Sequence, residues 1–163
     1  MKDTFKIESG TMLITDPCYV NEPLITKRLN ARNGNWIVDV LILSNNRVAM
    51  LTAKHVDYEK IIDSNASICS RDIKDMGVDS GQMGFFDAGK YSKHKSAMGE
   101  YDDTDKFYGK CCAATLSSKR YDVIDGFGCV SNSGYGDGSY DGVAVYDETG
   151  HAISVSMTFI DHQ

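Results

Sequence analysis

Three short stretches set a carboxylate beside small residues: ITDPCYV at 14–20, GVDSGQMGFFD at 77–87 and SGYGDGSYD at 133–141. Flexible backbone next to Asp can turn a chain through side-chain hydrogen bonds, or it can hold a ligand. Asp16 precedes Pro17 and is therefore stiff and extended. Cys18 has the chemistry of a nucleophile, but a nucleophile needs a base. The four histidines, His55, His94, His151 and His162, lie in no recognisable partnered motif. If the protein is an enzyme, Asp16, His55, Asp79 and Asp137 are the groups available for acid–base or metal chemistry. The simplest reaction would then be phosphodiester hydrolysis of a cyclic nucleotide.

Binding needs less than catalysis. Asp79, Ser80 and Gly81 can form a turn whose backbone N–H groups cradle an anion. Gly134, Gly136 and Gly138 can do the same with the hydroxyls of Ser131 and Ser133, because glycine reaches positive φ. Residues 131–150 hold five glycines, three tyrosines and three aspartates. Of the tyrosines, Tyr135 and Tyr140 stand beside the loop. Tyrosine offers a flat face to a base and a hydroxyl to a phosphate or sugar. Asp16, Cys18, Tyr19, Asp79 and Asp137 complete the candidate ligand-binding set. The loop lacks the G-K-[ST] ending of a phosphate-binding P-loop. It also lacks the oxygen spacing of an EF-hand. No cofactor or metal is expected.

The three stretches together resemble a family of small proteins encoded by phages and bacteria. Its members share a DPCY-type start, a G-V-D-S-G stretch and a terminal SGYGDGSY-type loop that leads into a hairpin. The resemblance spans residues 14–160. It implies a phage-associated cytoplasmic protein of one domain, with no settled activity. The chain departs from the pattern in SYDGVAVYD, where Gly142 interrupts the start of a strand.

Composition narrows the choice of partner. The 163-residue chain is 42% hydrophobic and 25% charged, which suits a single globular domain over 1–163. A net charge of −6 disfavours nucleic-acid polymers and anionic membranes as partners. KRLNAR and GKYSKHK read as solvated basic faces. The five cysteines form no CxxC pair, which argues for a reduced cytoplasmic protein, here inside a bacterial host. The longest apolar run, WIVDVLIL, has strand length and carries Asp39.

The elements that must position these groups read as mainly antiparallel α+β, with about eight strands and one or two short helices. FKIES and TMLIT are expected to pair as a hairpin. A second hairpin is expected over residues 36–53 around SNN, and a third where GVAVYD and HAISVSMTFI flank ETG. In that last strand Ile153, Val155, Met157 and Phe159 alternate with polar residues, the mark of one buried face. DYEKIIDSN reads as a short helix or a loop, ASICS as a strand, and GVDSGQMGFFDAGKY as strand, turn, strand. DDTDKFYGKCCAATLSS is the best helix, with Phe107, Cys111, Ala114 and Leu116 as its apolar face.

The leading functional expectation is a small-ligand binding protein that sequesters a nucleotide immune signal, such as a cyclic dinucleotide, as an anti-defence sponge. The alternatives are the phosphodiesterase and a protein-binding inhibitor or immunity-type protein. A homo-oligomer with shared sites is compatible with the first.

Overall fold

The structure is a computed structural model and describes residues 2–19, 25–93 and 98–161. Among these it holds eleven strands in two antiparallel sheets, and three short α-helices. The larger sheet contains β1 (Thr4–Ile7), β4 (Gly34–Ile42), β5 (Val48–His55), β6 (Cys69–Val78), β10 (Gly138–Tyr146) and β11 (Ala152–Thr158). Its strand order is β1-β4-β5-β11-β10-β6. The smaller sheet contains β2 (Thr11–Thr15), β3 (Lys27–Asn30), β7 (Gln82–Asp87), β8 (Tyr121–Ile124) and β9 (Gly128–Asn132). Its order is β3-β2-β7-β9-β8. The helices are α1 (Tyr58–Asp63), α2 (Ala88–Tyr91) and α3 (Phe107–Leu116).

The smaller sheet is covered on both faces. Met12, Ile14, Met83, Phe85 and Cys129 point to the larger sheet and meet Trp36, Leu51, Val155 and Met157 in the main core. Leu13, Phe86 and Val130 point the other way, onto Tyr91 of α2 and Phe107, Cys111 and Ala114 of α3. That two-sided burial explains why β7 is buried at every position and reads as an unbroken run rather than an alternating one. The larger sheet is different. Its inner face joins the core, and much of its outer face stays open, with Leu41 and Val143 about 40% exposed (41% and 40%).

The expected hairpins at 36–53 and around ETG form as β4–β5 and β10–β11. The first expected hairpin does not. β1 pairs with β4, while β2 pairs with β3 and β7, so the turn at Ser9–Gly10 carries the chain from one sheet to the other. Non-local partners with buried faces win over the neighbour in sequence. DYEKIIDSN is helical over α1, whereas only the last two residues of ASICS, Cys69 and Ser70, enter the longer β6. GVDSGQMGFFDAGKY begins as strand, turn, strand, with its two strands in different sheets, but its last four residues are not strand: Asp87 caps them into α2. The best helix is present, shorter than its motif and starting after the acidic residues. Phe107, Cys111 and Ala114 are buried, whereas Leu116 is 79% exposed at the last turn and belongs to no apolar face. Gly142 sits at a bulge where the β10–β6 register shifts. A Cβ there would stand 2.1 Å from the Ser156 carbonyl oxygen of β11, so only glycine allows the close approach.

Candidate functional site

The three carboxylate stretches meet at corners of the two-sheet stack. The first follows the end of β2, the second joins β6 to β7, and the third joins β9 to β10. The last two are places where the chain changes sheets. Such corners need sharp turns, and this is the local reason for their Gly and Asp content.

Asp16 fastens the first corner to the second. It is fully buried. Its Oδ1 accepts from the Cys18 backbone N–H at 2.9 Å and the Ser80 hydroxyl at 2.5 Å. Its Oδ2 accepts from the backbone N–H groups of Asp79 at 2.8 Å and Ser80 at 2.7 Å. Each oxygen thus takes two donors, which is the full capacity of a carboxylate in this geometry. The Tyr19 hydroxyl donates to Asp79, and the Tyr91 hydroxyl donates to the Tyr19 carbonyl at 2.5 Å. Burial first, then the Asp16 carboxylate, push the Cys18 thiol well above its ordinary pKa. It therefore stays a thiol rather than a thiolate nucleophile. Beside it lie Gln82, which the second stretch contains but which was not among the candidate site residues, and residues of α3 that the motifs did not point to. Gln82 Nε2 donates to Ser80 Oγ at 3.3 Å and to Cys112 Sγ at 3.5 Å. Burial pushes the Tyr108 phenol up to about 12, against the pull of the Ser80 hydroxyl.

The second corner is fastened to the third. The Ser133 N–H donates to the Gly81 carbonyl at 3.0 Å. Ser131 and Ser133 are buried, and their hydroxyls donate to the carbonyls of Asn132 at 2.9 Å and Gly136 at 2.8 Å. The Tyr140 hydroxyl also donates to Gly136, at 2.7 Å, and its ring packs edge-on against Phe159. Gly134 and Gly136 take positive φ of 74° and 113°, which the turn requires. The loop is thus locked from within. Tyr135, Asp137 and Gly138 are left facing outward. Tyr135 is 67% exposed. The Arg47 guanidinium lies 4.5 Å from the Tyr135 ring centroid and donates to the Gly134 carbonyl at 3.1 Å. Asn45 Nδ2 reaches the Tyr135 hydroxyl at 3.5 Å. Arg47 and Asn45 come from the β4–β5 turn. Their only advance signal was a cation next to the SNN turn in an acidic chain.

His55 is held apart from this junction. Its Nδ1 accepts from the Asp57 N–H at 3.0 Å, so its Nε2, 2.8 Å from the Asn33 carbonyl, is the donor. Both nitrogens serve the backbone, and the ring packs edge-on against Trp36. His94 and His162 lie outside the described residues. Among the described residues no group of three or more His, Cys, Asp or Glu is placed to hold a metal. No helix among them is long and apolar enough to cross a membrane.

No curated protein and no solved structure matches the chain. Residues 5–157 match the family described as Protein of unknown function (DUF4241). That match takes in nearly the whole two-sheet core and all three corner stretches, and the chain belongs to the DUF4241 family.

Proposed function

We propose that the protein binds a small nucleotide at the junction of the three corners and holds it without chemical change. The observation that carries this reading is Tyr135. It is an exposed aromatic face on a loop rigid by its own hydrogen bonds, with a guanidinium stacked beside it. A base can stack on such a face for about 1–3 kcal/mol. Arg47 supplies the cation for a phosphate, and outward-facing Asp137 and Asp79 supply acceptors for ribose hydroxyls or exocyclic amines. Because the loop is already ordered, little entropy is lost on binding.

A sequestering role fits the state of the reactive groups. Asp16 and His55 are tied to backbone donors and acceptors, and the Cys18 thiol is held protonated. In the setting that the sequence resemblance implies, the ligand is a nucleotide immune signal such as a cyclic dinucleotide, and the protein is a phage-encoded sponge in the host cytoplasm.

The test is incubation with mono-, cyclic di- and cyclic trinucleotides and ADP-ribose-type signals, with and without magnesium. The filtrate and the heat-released ligand are then chromatographed. Depletion followed by recovery of intact ligand is the expected result. New products in the filtrate would replace sequestration with hydrolysis. Tyr135→Ala should weaken binding about tenfold, the size of one lost stacking contact.

A further inference from the structure

The open face of the larger sheet carries a second feature. Along β5 the side chains alternate. Leu51 and Ala53 enter the core, while Met50, Thr52 and Lys54 face outward. Their register partners face the same way: Asp39 of β4 stands opposite Thr52, which stands opposite Ser156 of β11, and Ile37 stands opposite Lys54. Tyr58 and Glu59 of α1, which follows β5 in the chain, and Lys2 also line this face. Together they enclose a groove of about 740 Å³. That is within the roughly 300–1,000 Å³ of small-molecule sites.

The groove's chemistry is specific. Thr52 Oγ1 and Ser156 Oγ lie 3.0 Å apart on the floor, a paired hydroxyl. Lys54 Nζ stands 4.8 Å from the Tyr58 ring centroid. Two cations, Lys2 and Lys54, and two carboxylates, Asp39 and Glu59, line it. Among the described residues none of the four forms a salt bridge. A purely anionic ligand would leave the carboxylates facing it unmatched, and a purely apolar one would desolvate four charges. A ligand with both charges answers both. Met50, Ile37 and the Tyr58 ring give an apolar lining, and a thioether adapts to varied shapes.

We propose that this groove binds a small zwitterion with an apolar body, of amino-acid type. Its carboxylate lies toward Lys54 and the hydroxyl pair, its ammonium toward Asp39, and its apolar part against Tyr58 and Met50. The site is separate from the nucleotide junction, and neither depends on the other.

The experiment is an amide NMR titration of the full chain with L-phenylalanine, 3-phenylpropionate and 2-phenylethylamine. Phenylalanine should give saturable shifts centred on Thr52, Lys54 and Tyr58, and each half-molecule should bind at least tenfold more weakly. Lys54→Met should reduce phenylalanine to the affinity of the amine and leave the amine unchanged. Asp39→Asn should do the converse with 3-phenylpropionate. These side chains face solvent, so the variants keep the core intact. The proposal is overturned if phenylalanine gives no saturable shift in the groove. It is also overturned if either half-molecule binds as tightly, or if adenosine monophosphate occupies the groove more tightly than phenylalanine.

Discussion

At the scale of single residues, Asp16 is the chemical centre of the corner junction and also its fastening. Replacing it with Ala leaves three backbone N–H groups and the Ser80 hydroxyl without their acceptor. Hydrogen bonds to a charged group are worth about 1.5–3 kcal/mol each and do not add fully, so Asp16→Ala should cost about 3–5 kcal/mol. Asp16→Asn keeps the shape but turns an NH2 toward donors, and about 2 kcal/mol is expected. Urea unfolding of both variants measures this. If Asp16→Asn unfolds at the wild-type midpoint, the carboxylate is free for a ligand instead. The motif's residue types were legible as a meeting of carboxylates and small residues. The direction of each hydrogen bond was not. Ser131 and Ser133 offer the same hydroxyl to a phosphate or a carbonyl, and only the folded loop brings the carbonyls of Asn132 and Gly136 within reach.

At the scale of elements, the alternation of Ile153, Val155 and Met157 and the short glycine turn were enough to place β10 and β11 side by side. Local chemistry carries that information. It could not separate β1 from β2, because pairing across two sheets depends on partners far along the chain. Nor could it find the groove, whose floor is every second residue of ordinary strands. Gly142 is the element-scale departure with a clear cause. Its absent Cβ lets β10 lie against the Ser156 carbonyl and the Met157 sulfur. Gly142→Ala must part β10 from β11 or bend the bulge, and about 2–3 kcal/mol of destabilisation is expected, read from the urea midpoint. An unchanged midpoint would mean that the strand relaxes without strain.

At the scale of the whole molecule, pH reports how carboxylates outside the corner junction fasten the turns. Asp87 caps α2 and also accepts from the Glu8 and Ser9 N–H groups. Asp147 accepts from Thr149 and His151 and pairs with Arg32 at 3.5 Å. Burial raises both carboxyls, but the hydrogen bonds outweigh it and hold both below the ordinary value. A depressed folded pKa gives stability that is present above the unfolded value of about 3.9 and is lost as pH falls through the folded one. The opposite limb comes from thiols. Burial raises Cys18, Cys111 and Cys129, the last to about 12. Their contribution is whole below the unfolded value of about 8.5 and fades as pH rises above it. Thermal melts should therefore show a plateau between about pH 5 and 8, a fall below about pH 4 and another above about pH 9. Melting temperatures that climb steadily from pH 8 to 10 would contradict this account.

β11 lies between β5 and β10 in the middle of the larger sheet, yet it is the final strand of the described chain. While a ribosome is still making residues 152–158, β5 and β10 each present an unpaired edge. The inner face of the sheet also lacks Val155 and Met157. The larger sheet can close only after those residues have left the exit tunnel. A nascent or shortened chain is then the form most exposed to chaperones, proteases and edge-to-edge aggregation.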